Sequence, residues 1–198
     1  MTEQKETKEA KVEDIRKSAE ERDCPVEKAL YYVTEFLSGP MCGKCFPCSM
    51  GCYEAKLRLQ NIADGRGNDD DLAALSRIAG NMLEASMCKK GKDSARFIRE
   101  WLDTDIFKKH VDGICPSGSC VALIEYRIIP EKCTSCGLCR EACIYGAIHG
   151  EKKKPYLSGY LPHEIRQKVC TKCGECIKVC PEEAIIIVNA KERETVKV

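Results

Sequence analysis

Between residues 23 and 112, apolar positions recur every three or four residues, the period of a helix with one buried face. Val26, Ala29, Leu30, Val33, Phe36 and Leu37 follow Pro25, a proline suited to a first helical turn, and Ser38-Gly39-Pro40 ends the run. Tyr53, Leu57, Leu59 and Ile62 predict a second helix that stops at Asp64-Gly65-Arg66-Gly67. Asp69-Asp70-Asp71 reads as an N-terminal cap with favourable dipole charge, opening a third helix with Leu72, Leu75, Ile78, Met82 and Leu83. Phe97, Ile98, Trp101, Leu102, Ile106 and Phe107 give a fourth, and this aromatic stripe reads as core rather than as a cofactor contact. Four amphipathic helices on short loops predict a four-helix bundle. Residues 1–22 alternate in charge with almost no apolar content, which predicts a solvated arm, or one that folds along a partner. Residues 113–129 form a turn-rich joint followed by the β-prone run Val121 to Ile129.

Composition narrows the function classes. The chain has 198 residues, with 32 basic and 31 acidic side chains and a net charge of +1. No net field favours nucleic acid or an acidic membrane surface. The longest aliphatic stretch, Ile185 to Val188, is far below the ~20 residues that span a bilayer. The charged N-terminus contains no apolar signal-peptide core. These features lead us to expect a cytoplasmic protein. The 16 cysteines then read as metal ligands rather than as a secreted disulfide framework.

The cysteines fall into three runs: Cys42-Gly-Lys-Cys45-Phe-Pro-Cys48, Cys133-Thr-Ser-Cys136-Gly-Leu-Cys139 with Cys143, and Cys170-Thr-Lys-Cys173-Gly-Glu-Cys176 with Cys180-Pro181. Three thiolates at two-residue gaps suit three irons of a cubane, with a fourth thiolate arriving from elsewhere. Zinc takes thiols in pairs, so such a run leaves one sulfur surplus. The spacing is also awkward for three unstrained disulfides.

Residues 132–148 recur at 169–185, so that Cys133 and Cys170 stand 37 positions apart, as do the cysteines that follow them. An internal duplication of a cysteine loop with its trailing strand is a specific signal. It resembles the bacterial-type ferredoxin fold with two [4Fe-4S] clusters. In that family the fourth cysteine of each run ligates the other cluster. The resemblance implies one cluster on Cys133, Cys136, Cys139 and Cys180, and another on Cys143, Cys170, Cys173 and Cys176. Ile144 departs from the proline usual after the fourth cysteine and puts the loop geometry there in doubt. Gly137 and Gly174 let amide N–H groups turn toward the clusters. The segment between the runs, with Lys152-Lys153-Lys154-Pro155, reads as an inserted surface loop.

Residues 23–112 resemble the C-terminal iron–sulfur module of the NADH-oxidising, flavin-bearing subunit of respiratory complex I. That family carries a Ser-Cys-Gly-Lys-Cys-Thr-Pro-Cys-Arg-Glu-Gly loop and a remote fourth cysteine. Here the loop reads Met41-Cys-Gly-Lys-Cys-Phe-Pro-Cys-Ser-Met-Gly51, and Cys88 lies at the remote position. The implied ligands are Cys42, Cys45, Cys48 and Cys88, with Cys52 as the alternative fourth because its spacing matches the ferredoxin runs. Together the modules resemble the tail of flavin subunits in NAD-linked, often electron-bifurcating, hydrogenases and formate dehydrogenases.

That resemblance implies a domain order of charged arm (1–22), helical cluster module (23–112), joint (113–129) and two-cluster ferredoxin (130–198). It implies an electron-transfer subunit with three [4Fe-4S] clusters and no catalytic residue of its own. Its expected partners are a flavoprotein that oxidises NAD(P)H, a thioredoxin-like [2Fe-2S] subunit and a terminal redox enzyme of hydrogenase or formate dehydrogenase type. The upstream FMN- and NADH-binding domain of those subunits is not expected here, since Gly65-Arg66-Gly67 is a helix-ending turn and not a dinucleotide fingerprint. Two alternatives stay open: a share in a flavin site at an interface, and a zinc-rich structural protein.

Cys24, Cys115 and Cys120 remain, with His110, His149 and His163. A zinc site on Cys115, Cys120, His163 and one further ligand is one reading, because thiolate and imidazole suit zinc. Free buried thiols and a redox-active disulfide are the others. Cys24 reads as a buried thiol, and His110 and His149 as solvated loop residues.

Overall fold

A computed structural model of the chain describes residues 12–153 and 161–191. It divides into two compact units, residues 1–123 and 124–198. Residues 1–11 of the expected arm, and Lys154-Pro155 of the expected insertion, lie outside the described residues.

Among the described residues of the first unit the regular elements are helices: α1 (Val12–Glu20), α2 (Pro25–Ser38), α3 (Phe46–Ala63), α4 (Asp69–Ala85), α5 (Lys89–Leu102) and α6 (Asp105–Val111). The pattern predicts four helices, and six are observed among the described residues. Within the expected arm, Ile15 and Ala19 on one face of α1 are buried against α2. The predicted fourth helix is two, because the Thr104 hydroxyl donates to the Trp101 carbonyl at 2.6 Å and the chain restarts at Asp105. Such a side-chain bond competes with the helical ladder.

α2 begins with Pro25 in its first turn and buries Val26, Ala29, Val33 and Phe36, as predicted, together with Tyr32. α3 buries Cys48, Cys52, Ala55, Leu59 and Ile62, a stripe of three- and four-residue steps. Tyr53 and Leu57, expected in the core, are about half exposed at 54% and 49%. α4 is capped by Asn68 rather than by the aspartates. Its side chain accepts from the Asp71 N–H (3.0 Å), while the Asp71 carboxylate accepts from the Asn68 N–H (3.1 Å). This reciprocal box satisfies two otherwise orphaned donors. Asp71, 2% exposed, also pairs with Arg58 at 2.9 Å.

At the centre, the Tyr32 and Phe97 rings stack at 4.3 Å. Both are fully enclosed by neighbours from α2 and α5.

The second unit opens on β1 (Ile124–Ile128), which pairs antiparallel with β4 (Ile185–Asn189); Ile124 faces Asn189 and Ile128 faces Ile185. Its boundary therefore falls before residue 130, inside the expected joint. α7 (Leu138–Ala142) and α8 (Glu175–Lys178) follow the two cysteine loops. β2 (Ile148–His149) and β3 (Glu164–Ile165) form a second short antiparallel pair. The core is small: Ile124, Tyr126, Ile148, Ile165 and Ile185, with Cys139 and Cys176.

Phe97→Ala removes the stacked ring from a closed core. It is expected to destabilise the first unit by ~3–5 kcal/mol, read as a lower denaturant midpoint of helical ellipticity.

Candidate metal centres

In the first unit, two helix N-termini converge. Cys45 is the extended residue before α3, and Cys88 is the extended residue before α5. Cys45 and Cys48 are buried, while Cys42 and Cys88 are exposed. Gly43 takes φ +66, which glycine adopts without a side-chain clash. The first turn of α5 lies directly on Cys48: a Cβ added at Gly91 would stand 3.2 Å from the Cys48 Sγ and 2.9 Å from the Ser86 Oγ. Ser86 is 3% exposed, and its hydroxyl has no hydrogen-bond partner among the described residues. An orphaned buried donor beside a thiol is what a sulfur-rich anionic group would satisfy. The positive ends of two helix dipoles favour the same kind of occupant. Cys52 is fully buried one turn beyond Cys48. Its hydrogen bond lowers the Cys48 thiol to about 7.

In the second unit, the duplication holds at the level of the backbone. Ser135 (φ 52) matches Lys172 (φ 59), Gly137 (φ 86) matches Gly174 (φ 83), and Gly146 (φ 61) matches Glu183 (φ 47). Non-glycine residues at positive φ are strained and persist where the surroundings fix them. Both loops close alike: the Ala147 N–H donates to the Cys143 Sγ and the Ala184 N–H to the Cys180 Sγ, each at 3.3 Å. The isoleucine after Cys143 therefore leaves this closure unchanged.

Two recesses of about 330 Å³ each result. One is walled by Cys143, Cys170, Cys173 and Cys176, with Tyr126, Tyr145, Ile148 and Ile165. The other is walled by Cys133, Cys136, Cys139 and Cys180, with Ile128, Lys132, His163 and Ile185. Each recess thus takes three cysteines from one run and one from the other. Burial, more than the neighbouring thiols, pushes the Cys176 thiol up to about 11.

A third kind of site lies in the first unit. Cys24, His110, Cys115 and Cys120 are all buried, and one ligand atom from each lies within 4.8 Å of the rest. His110 Nε2 stands 3.1 Å from the Cys24 Sγ and 3.4 Å from the Cys120 Sγ, and the two sulfurs are 3.5 Å apart. His110 Nδ1 donates to the Ile106 carbonyl at 2.7 Å, which holds the ring with Nε2 toward the thiols. Burial alone would lower the imidazole pKa; hydrogen bonds to Cys115 and Cys24 overcome it and raise it to about 10. A hydrogen bond from Cys120 draws the Cys115 thiol strongly down, and the same contact drives Cys120 up.

Bond lengths of about 2.1–2.3 Å to zinc place tetrahedral ligands roughly 3.4–3.8 Å apart. The four ligand atoms of this group lie within 4.8 Å of one another, close enough for one ion to draw them together. Among the described residues no other set of His, Cys, Asp or Glu ligand atoms is gathered so closely.

Cys115 and Cys120 therefore meet Cys24 and His110, two residues whose sequence context suggests a buried thiol and a solvated imidazole. His163, the expected imidazole ligand, is not in the group. It belongs to the second unit, where burial first and Arg140 second lower its pKa. Nothing local marks Cys24, which is 86 residues from His110. The apolar setting of His110 among Ile106, Phe107 and Val111 is the one sequence signal for its burial.

Comparison with known proteins agrees with the two units. Residues 28–111 match the NADH-ubiquinone oxidoreductase-F iron–sulfur binding region, and residues 132–185 match the 4Fe-4S dicluster domain. The NADP-reducing hydrogenase subunit HndC of Solidesulfovibrio fructosivorans is 35% identical over 140 residues, covering 69% of this chain and 28% of that protein. An NADH-quinone oxidoreductase subunit of Aquifex aeolicus is 35% identical over 83 residues, covering 42% of this chain and 19% of the relative. The NADP(+)-dependent formate dehydrogenase subunit beta of Moorella thermoacetica is 33% identical over 75 residues, covering 38% and 11%. The chain thus spans between about a tenth and three tenths of these relatives. It carries, in series, the two iron–sulfur domains that correspond to the C-terminal iron–sulfur region of such flavin subunits.

Proposed function

We propose that this chain is an electron-transfer subunit of an NAD(P)H-linked oxidoreductase complex, holding three [4Fe-4S] clusters and one structural zinc ion. The observation that carries the reading is the pair of recesses in the second unit, each walled by four cysteines drawn from both runs. When bound, such clusters supply one-electron redox chemistry.

The residues supply the rest. Cys133, Cys136, Cys139 and Cys180 hold one cluster, and Cys143, Cys170, Cys173 and Cys176 hold the next. Isoleucines at 128, 148, 165 and 185 line the recesses. Cys42, Cys45, Cys48 and Cys88 hold the third. There the α5 N-terminus and the Ser86 hydroxyl add favourable dipoles, and Cys52 serves as a packed hydrogen-bonding neighbour. Phe46, Met50 and Met87 stand 75%, 48% and 83% exposed on the residues flanking this site. Apolar side chains so placed suit a partner's surface. In this reading a flavoprotein that oxidises NAD(P)H supplies electrons, and a thioredoxin-like [2Fe-2S] subunit and a hydrogenase- or formate-dehydrogenase-type enzyme complete the assembly in the cytoplasm. No helix among the described residues is long and apolar enough to cross a membrane.

The zinc ion takes Cys24, His110, Cys115 and Cys120. It joins the segment before α2, the end of α6 and the turn that follows. With all four positions filled by protein, the site is of the closed structural kind.

Anaerobically purified chain is expected to contain about twelve iron and twelve sulfide atoms, as three cubanes require. Fewer than about eight irons contradicts the reading. Cys88→Ala is expected to lose one cluster's iron, whereas Cys52→Ala keeps it; the reverse result exchanges their roles. Elemental analysis is expected to find about one zinc per chain. His110→Ala loses that zinc with the iron unchanged, and His110→Cys retains it. Zinc-free wild-type chain with full iron removes zinc from the account.

A further inference from the structure

The ferredoxin repeat is faithful in its cysteines and backbone but not in the side chains that meet the two recesses. In the recess of Cys143, Cys170, Cys173 and Cys176, the polar neighbour Tyr126 already donates its hydroxyl to the Lys172 carbonyl at 3.1 Å. The other recess is met by His163, which is 3% exposed. Neither His163 ring nitrogen has a hydrogen-bond partner among the described residues. Either neutral tautomer carries one N–H, so a buried donor is left to be satisfied.

The ring is held where it is. Gly150, at φ +139, packs flat on it: a Cβ there would lie 2.8 Å from the His163 Cδ2 and 2.9 Å from Cγ. The Arg140 guanidinium donates to the Gly150 carbonyl at 2.8 Å. From the other side, the Ser135 hydroxyl donates to the Leu161 carbonyl at 3.2 Å, tying the approach to His163 onto the first cysteine loop. The segment between the two runs thus ends by delivering an imidazole to one recess and none to its counterpart.

We propose that His163 donates a ring N–H to a sulfur of the cluster held by Cys133, Cys136, Cys139 and Cys180, making this the higher-potential site of the ferredoxin pair. This rests on the cluster reading above. Reduction adds one electron, and hence one negative charge, to a cluster. A hydrogen bond to its sulfur stabilises that charge and raises the potential. An electron entering the second unit therefore settles beside His163, which gives the duplicated domain a direction.

The test is a redox titration of the full-length, cluster-loaded chain with dithionite as reductant, followed by electron paramagnetic resonance. His163→Leu is expected to weaken electron affinity at one ferredoxin couple by tenfold or more, about 59 mV per tenfold for a one-electron couple. The other couples stay in place. The couple that moves is the one that Cys136→Ser also perturbs. His163→Gln, which keeps a side-chain N–H, stays close to wild type. Unmoved couples in His163→Leu, equal shifts of both ferredoxin couples, or a glutamine variant that behaves like leucine each overturn the proposal. Should His163→Leu lose iron, Gly150→Ala displaces the ring and is expected to lower the same couple alone; no shift there also overturns it. Wild-type chain without cubane signals overturns the cluster reading and this proposal together, whereas normal wild-type signals with unmoved couples overturn only the role of His163.

Discussion

In the second unit the two cysteine runs are interleaved, Cys180 standing in the recess of the first run and Cys143 in that of the second. The rest of the unit depends on this exchange. Among the described residues its two sheets have two strands each, and its core is five large apolar side chains and two cysteines. A unit of this size buries little apolar surface, and small domains of that kind usually rely on a metal or a cross-link. The proposed ligation, which needs both halves, closes long loops on each other and would couple metal binding to folding. The strained φ values at Ser135, Lys172 and Glu183 fit the same view. Two turns of matching strain are held because each serves to present thiols, not because the local sequence prefers them.

The first unit solves the opposite problem. Its helices bury Tyr32, Phe36, Leu59, Ile62, Phe97 and Phe107 almost completely, an apolar core much larger than that of the second unit. Cysteines proposed to hold its metals lie at the ends of helices. The run beginning at Cys42 and the remote Cys88 meet where α3 and α5 start, at the positive ends of both dipoles. The Cys24, His110, Cys115 and Cys120 group gathers a different set of chain segments, with ligand atoms within 4.8 Å of one another.

Much of this was legible in the sequence because the signals were local. The cysteine runs, the 37-residue duplication and the helices around Val26 to Phe36 and Leu75 to Met82 each declare themselves within a short window. Three features were not legible. Tyr53 and Leu57 look like core residues, but α3 turns Cys52, Ala55 and Leu59 inward instead, since a helix has only one buried stripe and small cysteines fill it here. The Thr104 break depends on a single hydroxyl bond to the preceding turn. The meeting of Cys24 with His110 and Cys120 spans 86 and 96 residues of chain, which no spacing rule reaches. His163 shows the same limit: the sequence offers it as an imidazole ligand, and only the fold shows that it meets a ferredoxin recess.

The central claim is a relay of three one-electron sites in two units, and counting electrons tests it most directly. Coulometric reduction of the anaerobically purified, cluster-loaded chain is predicted to take up about three electrons per molecule, one for each cubane. Uptake of two or fewer by chain with a full complement of iron would contradict the account.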